Sequence, residues 1–256
     1  MLAGDIVVRE RGRRRGLFAA MSPGALLDIP AGGGAQTAAL LKLGYKVFSV
    51  DLFPPRDRAP GASWILADAN QPIPLGGSVF DYVLSREGIE HLENQMGFLR
   101  ECARVLKPGG TIVLTTPSLM HLSARFSLFL TGQRNLRRGL VNEIQTLRVA
   151  HGSRIYHGHA FPLDYFRARY MLRLAGFAKI EVFTDRFSPT AIAAAPLVPL
   201  LYAAMKFSAA QAARRSRKRG ETPPRDDVTR EIIGHVLSPA LLFGKRMIIV
   251  AEKAAA

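Results

Sequence analysis

Residues 26–37 read LLDIPAGGGAQT, and no other stretch restricts the fold as much. An apolar run closes on Asp28, and Gly32, Gly33 and Gly34 follow before helix-forming residues begin. A strand that ends in a glycine-rich turn and feeds a helix brings bare backbone to the carboxyl edge of a sheet. The first N–H groups of that helix point back at the same place, so a polar ligand fits there. Asp51, which closes the next apolar run KVFSVD, is positioned to accept hydrogen bonds from two ribose hydroxyls. The expected ligand is therefore a cofactor carrying a nucleoside. A dinucleotide is one candidate, but the G-x-G-x-x-G fingerprint fits in neither register. Counted from Gly32 it places Thr37 where the third glycine belongs, and counted from residue 30 it begins with Pro30. The glycines alone also suit a tight strand–helix turn with no ligand.

The rest of the chain alternates strand-like and helix-like runs, the pattern of an α/β sheet with parallel crossovers. ALLDIP, KVFSVD, WILAD, FDYVLS and TIVLTTP read as five strands, with KIEVFTD and the final KRMIIVAEK as a sixth and seventh. TAALLKLG reads as a helix closed by Gly44. A second helix, from about Asn94 to Leu106, carries Phe98, Leu99, Cys102, Val105 and Leu106 at helical spacing. A third, in PLDYFRARYMLRLAGF, sets Phe166, Tyr170 and Leu174 on one face and ends at Gly176. The expectation is one Rossmann-like domain over 1–256, a seven-stranded, mostly parallel sheet with helices on both faces. A basic N-terminal arm (1–20) and two insertions, 119–160 after strand five and 186–245 after strand six, complete it. In open parallel sheets the ligand sits beyond the carboxyl ends of the strands, so both insertions are placed to cover a site.

Several motifs in order are similar to those of the class I S-adenosylmethionine-dependent methyltransferases. LLDIPAGGG resembles that family's glycine loop and VFSVDLF its acidic loop. LADANQPIPLGGSVFDYVLSREGIEHLEN resembles its third- and fourth-strand motifs, and LRECARVLKPGGTIVLTTP the approach to strand five. The resemblance runs from about Leu26 to Ser118 and weakens toward Lys253. It implies S-adenosylmethionine as the cofactor. Asp28 would be the acid of the first motif, and Pro30, Ala31, Gly32 and Gly34 would face the methionine moiety. Asp51 would hold the ribose, Leu52 would lie on the adenine, and Asp68 and the Ala69 N–H would meet the adenine edge. Ser85 and Glu87 would border the sulfonium. Pro30 stands where the family more often has glycine, tolerable if φ is near −65° and no N–H is needed there.

Candidate chemistry concentrates in SREGIEHLEN, where a helix would align Glu87, Glu90 and His91 at i, i+3 and i+4. His91 and Glu87 are the candidate catalytic residues, His91 as a general base or as a contact near the acceptor. The Glu-x-x-Glu-His spacing resembles a Mg²⁺ site in some class I enzymes, with His157 or His159 of YHGHAF as a further ligand, although Mg²⁺ prefers all-oxygen surroundings. No Asn-Pro-Pro-Tyr or Asp-Pro-Pro-Tyr follows strand four, which disfavours N-methylation of bases by that route. Cys102, the single cysteine, sits on an amphipathic helix as a core residue, so the sequence offers neither an intrachain disulfide nor a covalent nucleophile.

The net charge is +15, and ten of the positive charges form two clusters, Arg9, Arg11, Arg13, Arg14 and Arg15, and Arg214, Arg215, Arg217, Lys218 and Arg219. Such clusters attract the phosphates of RNA or of anionic lipid, or serve only solubility as a disordered tail or solvated loop. The apolar run from Ala191 to Met205 is too short, and too broken by Pro196 and Pro199, to span a membrane. It reads either as a helix over the acceptor pocket followed by a basic loop, or as a surface anchor. Asp5, Glu10 and the lack of a long apolar core argue against a secretory signal, so a cytoplasmic protein is expected, with peripheral membrane contact left open. The leading expectation is O-methylation of a small or lipid-like acceptor. The alternatives are an RNA methyltransferase, a non-catalytic cofactor-binding scaffold and, last, an NAD-dependent oxidoreductase.

Overall fold

The structure, a computed structural model, describes residues 6–10, 13–55, 59–134, 141, 142, 144, 147–151 and 154–255. A hairpin of β1 (Val7–Glu10) and β2 (Arg13–Gly16) leads into β3 (Ala25–Asp28), α1 (Ala35–Lys42), β4 (Lys46–Asp51), β5 (Ser63–Leu66) and β6 (Phe80–Arg86). Next come α2 (Gln95–Val105), β7 (Leu106–Pro117), α3 (Leu122–Thr131), and a second hairpin of β8 (Leu147–His151) and β9 (Arg154–His157). The chain continues through α4 (Tyr165–Leu174), β10 (Phe177–Phe183), α5 (Pro189–Ala193), α6 (Val198–Lys218), α7 (Asp226–Val236), α8 (Pro239–Phe243) and β11 (Arg246–Lys253).

Seven strands form one sheet in the order β10-β11-β7-β6-β3-β4-β5. The pairs β3–β4, β4–β5, β3–β6 and β6–β7 are parallel, and only β11 runs against its neighbours. The order turns back at β3, so the loops after β3, β4 and β6 open onto one crevice. Period-two alternation divides the core between the two faces. On β7, Ile112 and Leu114 face one apolar layer and Val113 the other. On β11, Met247 and Ile249 part from Ile248 in the same way.

Helix α2 follows the sequence pattern: Phe98, Leu99, Cys102 and Val105 are all buried. Burial pushes the Cys102 thiol far up, so it stays protonated as a core group. Helix α4 does not follow it. Its inner face is Tyr165, Ala168, Met171 and Leu172, while Phe166, Tyr170 and Leu174 point outward. Both stripes are apolar at helical spacing, and the sheet takes the one that includes the small Ala168.

Around the first hairpin, Ile6, Val8, Leu17 and Phe18 are buried against β3, β4, β6 and β7, so its described residues are docked rather than a disordered tail. Arg11 lies outside the described residues, as do the side chains of Arg9, Arg13 and Arg14. The second basic cluster is helical, not a loop. Helix α6 runs to Lys218, and Arg215, Arg217 and Lys218 occupy its last turn, where they complement the helix dipole. Among the described residues no helix is long and apolar enough to cross a membrane.

Candidate active site

A cavity of about 390 Å³ opens at the carboxyl ends of β3, β4, β5 and β6, within the usual range for a small-molecule site. Pro30, Gly32, Asp51, Leu52, Asp68, Ala69, Glu87 and His91 all line it. Asp28, Ala31, Gly34 and Ser85 do not reach its wall. Ala31 is buried and donates its N–H to Val50 O at 3.0 Å. Gly34, at φ 89°, caps the N-terminus of α1. Ser85 is buried, and among the described residues nothing hydrogen-bonds its hydroxyl.

Asp28 lies behind the loop, where Oδ2 accepts from Thr37 Oγ1 at 2.7 Å and Oδ1 has no partner among the described residues. Burial pushes its pKa up to about 7, against the opposing pull of the Thr37 bond and of Arg86.

Asp51 is the hinge between loop and cavity. Gly32 N donates to its Oδ2 at 2.8 Å and Phe53 N to its Oδ1 at 2.9 Å. Each oxygen keeps a second lone pair, the capacity two vicinal hydroxyls require. Gly32 has φ 59°, and a Cβ there would meet nothing within 4 Å, so the loop presents bare backbone to an open space. Asp68 Oδ1 accepts from both N and Nδ2 of Asn70, leaving Oδ2 for an amino group. Apolar Leu52, and Phe53 with Tyr156 edge-on to it, suit a flat base between them. This donor set fits S-adenosylmethionine.

One contact locks the mouth of the cavity. A Cβ on Gly88 would come within 2.2 Å of Pro30 Cδ and 2.4 Å of its Cγ. The Gly88 backbone, at φ −117°, is open to any residue, so the demand for glycine is purely steric. Gly88→Ala is therefore expected to push Pro30 aside and to cost about 1–3 kcal/mol, as overpacking does. Thermal melts check it, and a melting temperature unchanged from wild type would refute the contact.

The segment carrying the acids is not the regular helix its spacing allows. Only Ile89–His91 forms a short 3₁₀ turn, and Glu87 precedes it at φ 50°. Glu87 is consequently out of line with Glu90 and His91. Its Oε1 accepts from Thr115 Oγ1 at 3.1 Å and from Arg246 Nε at 3.0 Å.

His91 Nδ1 lies 2.7 Å from His157 O and 2.9 Å from Gly158 O. Carbonyl oxygens only accept, so Nδ1 carries the proton and Nε2 of the neutral ring is left with its lone pair. Glu90 is buried beside it, with Oε2 bonded to Thr116 Oγ1 at 3.0 Å and Oε1 unpartnered among the described residues. Burial and then Glu87 push its pKa up to about 7. Donor atoms of Glu90, His91 and His159 lie within 4.8 Å of one another. One carboxylate with two imidazoles suits transition metals and does not fit Mg²⁺, which demands oxygen ligands. His157, the other candidate ligand, instead pairs through Nε2 with Glu93 at 2.6 Å.

Sequence reasoning missed Phe53, Tyr156 and Arg246. Phe53 lies two residues past Asp51, next to Leu52, and had a signal in its position. Tyr156 and Arg246 arrive from β9 and β11, with no local pattern to announce them.

Residues 27–114 match a family model described as a methyltransferase domain. A ubiquinone biosynthesis O-methyltransferase of Xanthomonas campestris is 34% identical over 131 residues, 45% of this chain and 52% of that protein. A demethylmenaquinone methyltransferase of Tropheryma whipplei is 34% identical over 97 residues, 35% of this chain and 40% of that protein. The chain thus spans about half the length, or less, of these curated relatives. The crystal structure of a SAM-dependent methyltransferase from Archaeoglobus fulgidus superposes with a TM-score of 0.51 at 16% identity, covering 91% of this chain and 87% of that one. At that identity the likeness establishes the fold.

Proposed function

We propose, from the premise that the match of residues 27–114 to a methyltransferase domain marks a class I S-adenosylmethionine-dependent enzyme, that this chain methylates a hydroxyl of a small, lipid-like acceptor. The cofactor, when bound, supplies an electrophilic methyl group on a sulfonium. Asp51 would hold the ribose hydroxyls, Asp68 the adenine amino group, and the Pro30–Gly32 backbone would face the methionine. With that methyl group supplied to the acceptor oxygen, His91 Nε2 would take the hydroxyl proton.

The observation that carries this reading is the His91 tautomer. Two backbone carbonyls hold the proton on Nδ1 and leave a basic nitrogen on a ring that lines the cavity. The quinone-pathway names of the partial relatives favour a hydroxylated aromatic acceptor.

The test is calorimetric titration with S-adenosylhomocysteine, with NADH in parallel. Asp51→Ala removes a charged acceptor of two hydrogen bonds, each worth about 1.5–3 kcal/mol, so affinity is expected to fall at least about 100-fold. Asp51→Asn, which keeps one acceptor oxygen and so one of the two bonds from Gly32 N and Phe53 N, should lie between. Binding of NADH and not of S-adenosylhomocysteine would overturn the methyltransferase reading.

A further inference from the structure

Helix α6 contributes no buried residue along its 21 positions. Val198, Leu201 and Met205, at i, i+3 and i+7, form the half-buried stripe that packs on the body of the protein. The helical repeat puts Leu200, Ala203, Phe207, Ala210, Arg214 and Lys218 on the opposite stripe, and all six are exposed. Leu200 is 70% and Phe207 65% exposed, two turns apart. The sequence allowed this segment two roles, a cover over the pocket or a surface anchor, and no residue of α6 lines the donor cavity.

The outer stripe changes character along its length, apolar from Leu200 to Ala210 and cationic beyond. No Asp or Glu occurs between Asp185 and Glu221. Arg214, Arg215, Arg217, Lys218 and Arg219 are all exposed. Among the described residues the only acid that reaches this cluster is Glu221, 4.0 Å from Arg219. The helix dipole favours a cation in the last turn, but it is equivalent to about half a charge and does not balance five. Apolar surface is thus left in water at one end of the stripe and positive charge without a counter-charge at the other.

We propose that α6 docks this protein onto an anionic lipid bilayer. A bilayer surface answers both halves of the stripe at once. Leu200 and Phe207 enter the boundary between headgroups and acyl chains, and the arginines and Lys218 meet the lipid phosphates. Leu200 and Arg214 lie about 21 Å apart along the axis, so a helix lying in the plane of the surface keeps both halves in contact with it. The aliphatic stems of the basic residues follow the apolar surface while their charged heads reach the phosphates. RNA would use the cations but would leave Leu200 and the two alanines without a role. The inference goes beyond the methyl-transfer reading and does not rest on it. A protein held in this way would meet a lipid-like acceptor where that acceptor is concentrated.

Co-sedimentation of the full chain with phosphatidylcholine vesicles, with and without phosphatidylglycerol, tests it. Wild type should bind the anionic vesicles at least about 10-fold more tightly than the neutral ones, and less tightly as salt rises. Leu200→Ser and Phe207→Ser should each weaken that binding about 10-fold or more, the effect of returning a large apolar side chain to water. Arg214→Gln and Lys218→Gln should each weaken it about 5-fold. All four side chains are exposed, so melting temperature and S-adenosylhomocysteine affinity should match wild type in every variant.

Wild type that stays in the supernatant with anionic vesicles overturns the proposal, as does vesicle binding that Leu200→Ser and Phe207→Ser leave unaltered. Two other occupants have their own signatures. Polyuridylate binding lost in Arg214→Gln but kept in Phe207→Ser, with no vesicle binding, assigns the helix to RNA. A dimer in sedimentation equilibrium that Phe207→Ser dissociates, again with no vesicle binding, assigns it to a second copy of the chain. Either result overturns the membrane assignment and leaves the donor site untouched.

Discussion

His91→Ala is expected to lower turnover of a catechol acceptor by about 10²–10⁴-fold, the usual contribution of a positioned general base. S-adenosylhomocysteine affinity should stay within about 2-fold of wild type in the same variant, because Asp51 and Asp68, not His91, carry the proposed donor contacts. His91→Asn sharpens the test. An asparagine Nδ2 can still donate to the His157 and Gly158 carbonyls, so the variant keeps the link to the loop after β9 while losing the basic nitrogen. If His91 takes the proton, His91→Asn is as slow as His91→Ala. A His91→Asn enzyme within about 3-fold of wild type would make His91 a positioning residue and end the general-base reading. Release of S-adenosylhomocysteine under single-turnover conditions is the measurement.

The second large effect concerns stability and comes from Asp28. Its folded pKa is raised to about 7 from an ordinary value of 3.8, so between those values the native state binds a proton that the unfolded chain has released. Stability therefore falls as pH rises through that window, and the loss is complete above about pH 7. A three-unit displacement corresponds to about 4 kcal/mol between pH 4 and pH 8. Glu90, raised to about 7 from 4.5, adds in the same direction.

Asp28→Asn removes the first contribution and leaves the second. The asparagine oxygen can still accept from Thr37 Oγ1, and any misfit of its amide at the unpartnered Oδ1 position is independent of pH. The urea midpoint of wild type should thus decline from pH 5 to pH 8, and that of Asp28→Asn should decline by clearly less. Parallel declines in the two proteins would refute a buried, proton-retaining Asp28.

The sheet could be read from the chain because its evidence is local. Each parallel strand is an apolar run bounded by turn residues, and the acid at the tip of β4 falls where the crevice needs it. Site residues on the first four strands inherit that legibility, so Gly32, Asp51 and Asp68 reach the cavity from motif position alone. The failures share one physical cause, which is that spacing fixes a face and tertiary packing selects among faces. In α4 two apolar stripes competed, and the sheet chose the one containing Ala168. Near Glu87 the helical register broke because Arg246, 159 residues along the chain, pairs with its carboxylate.

The bonds that orient His91 carry a consequence for how such a protein can diversify. They come from the main-chain oxygens of residues 157 and 158, and every amino acid supplies that atom. The proton's location on the ring is thereby insulated from mutation of the side chains around it. Selection, or a designer, can exchange residues on the loop that follows β9 to admit a different acceptor while the base keeps its tautomer. On the proposed mechanism, the tautomer of His91 and the side chains of that loop are free to vary separately.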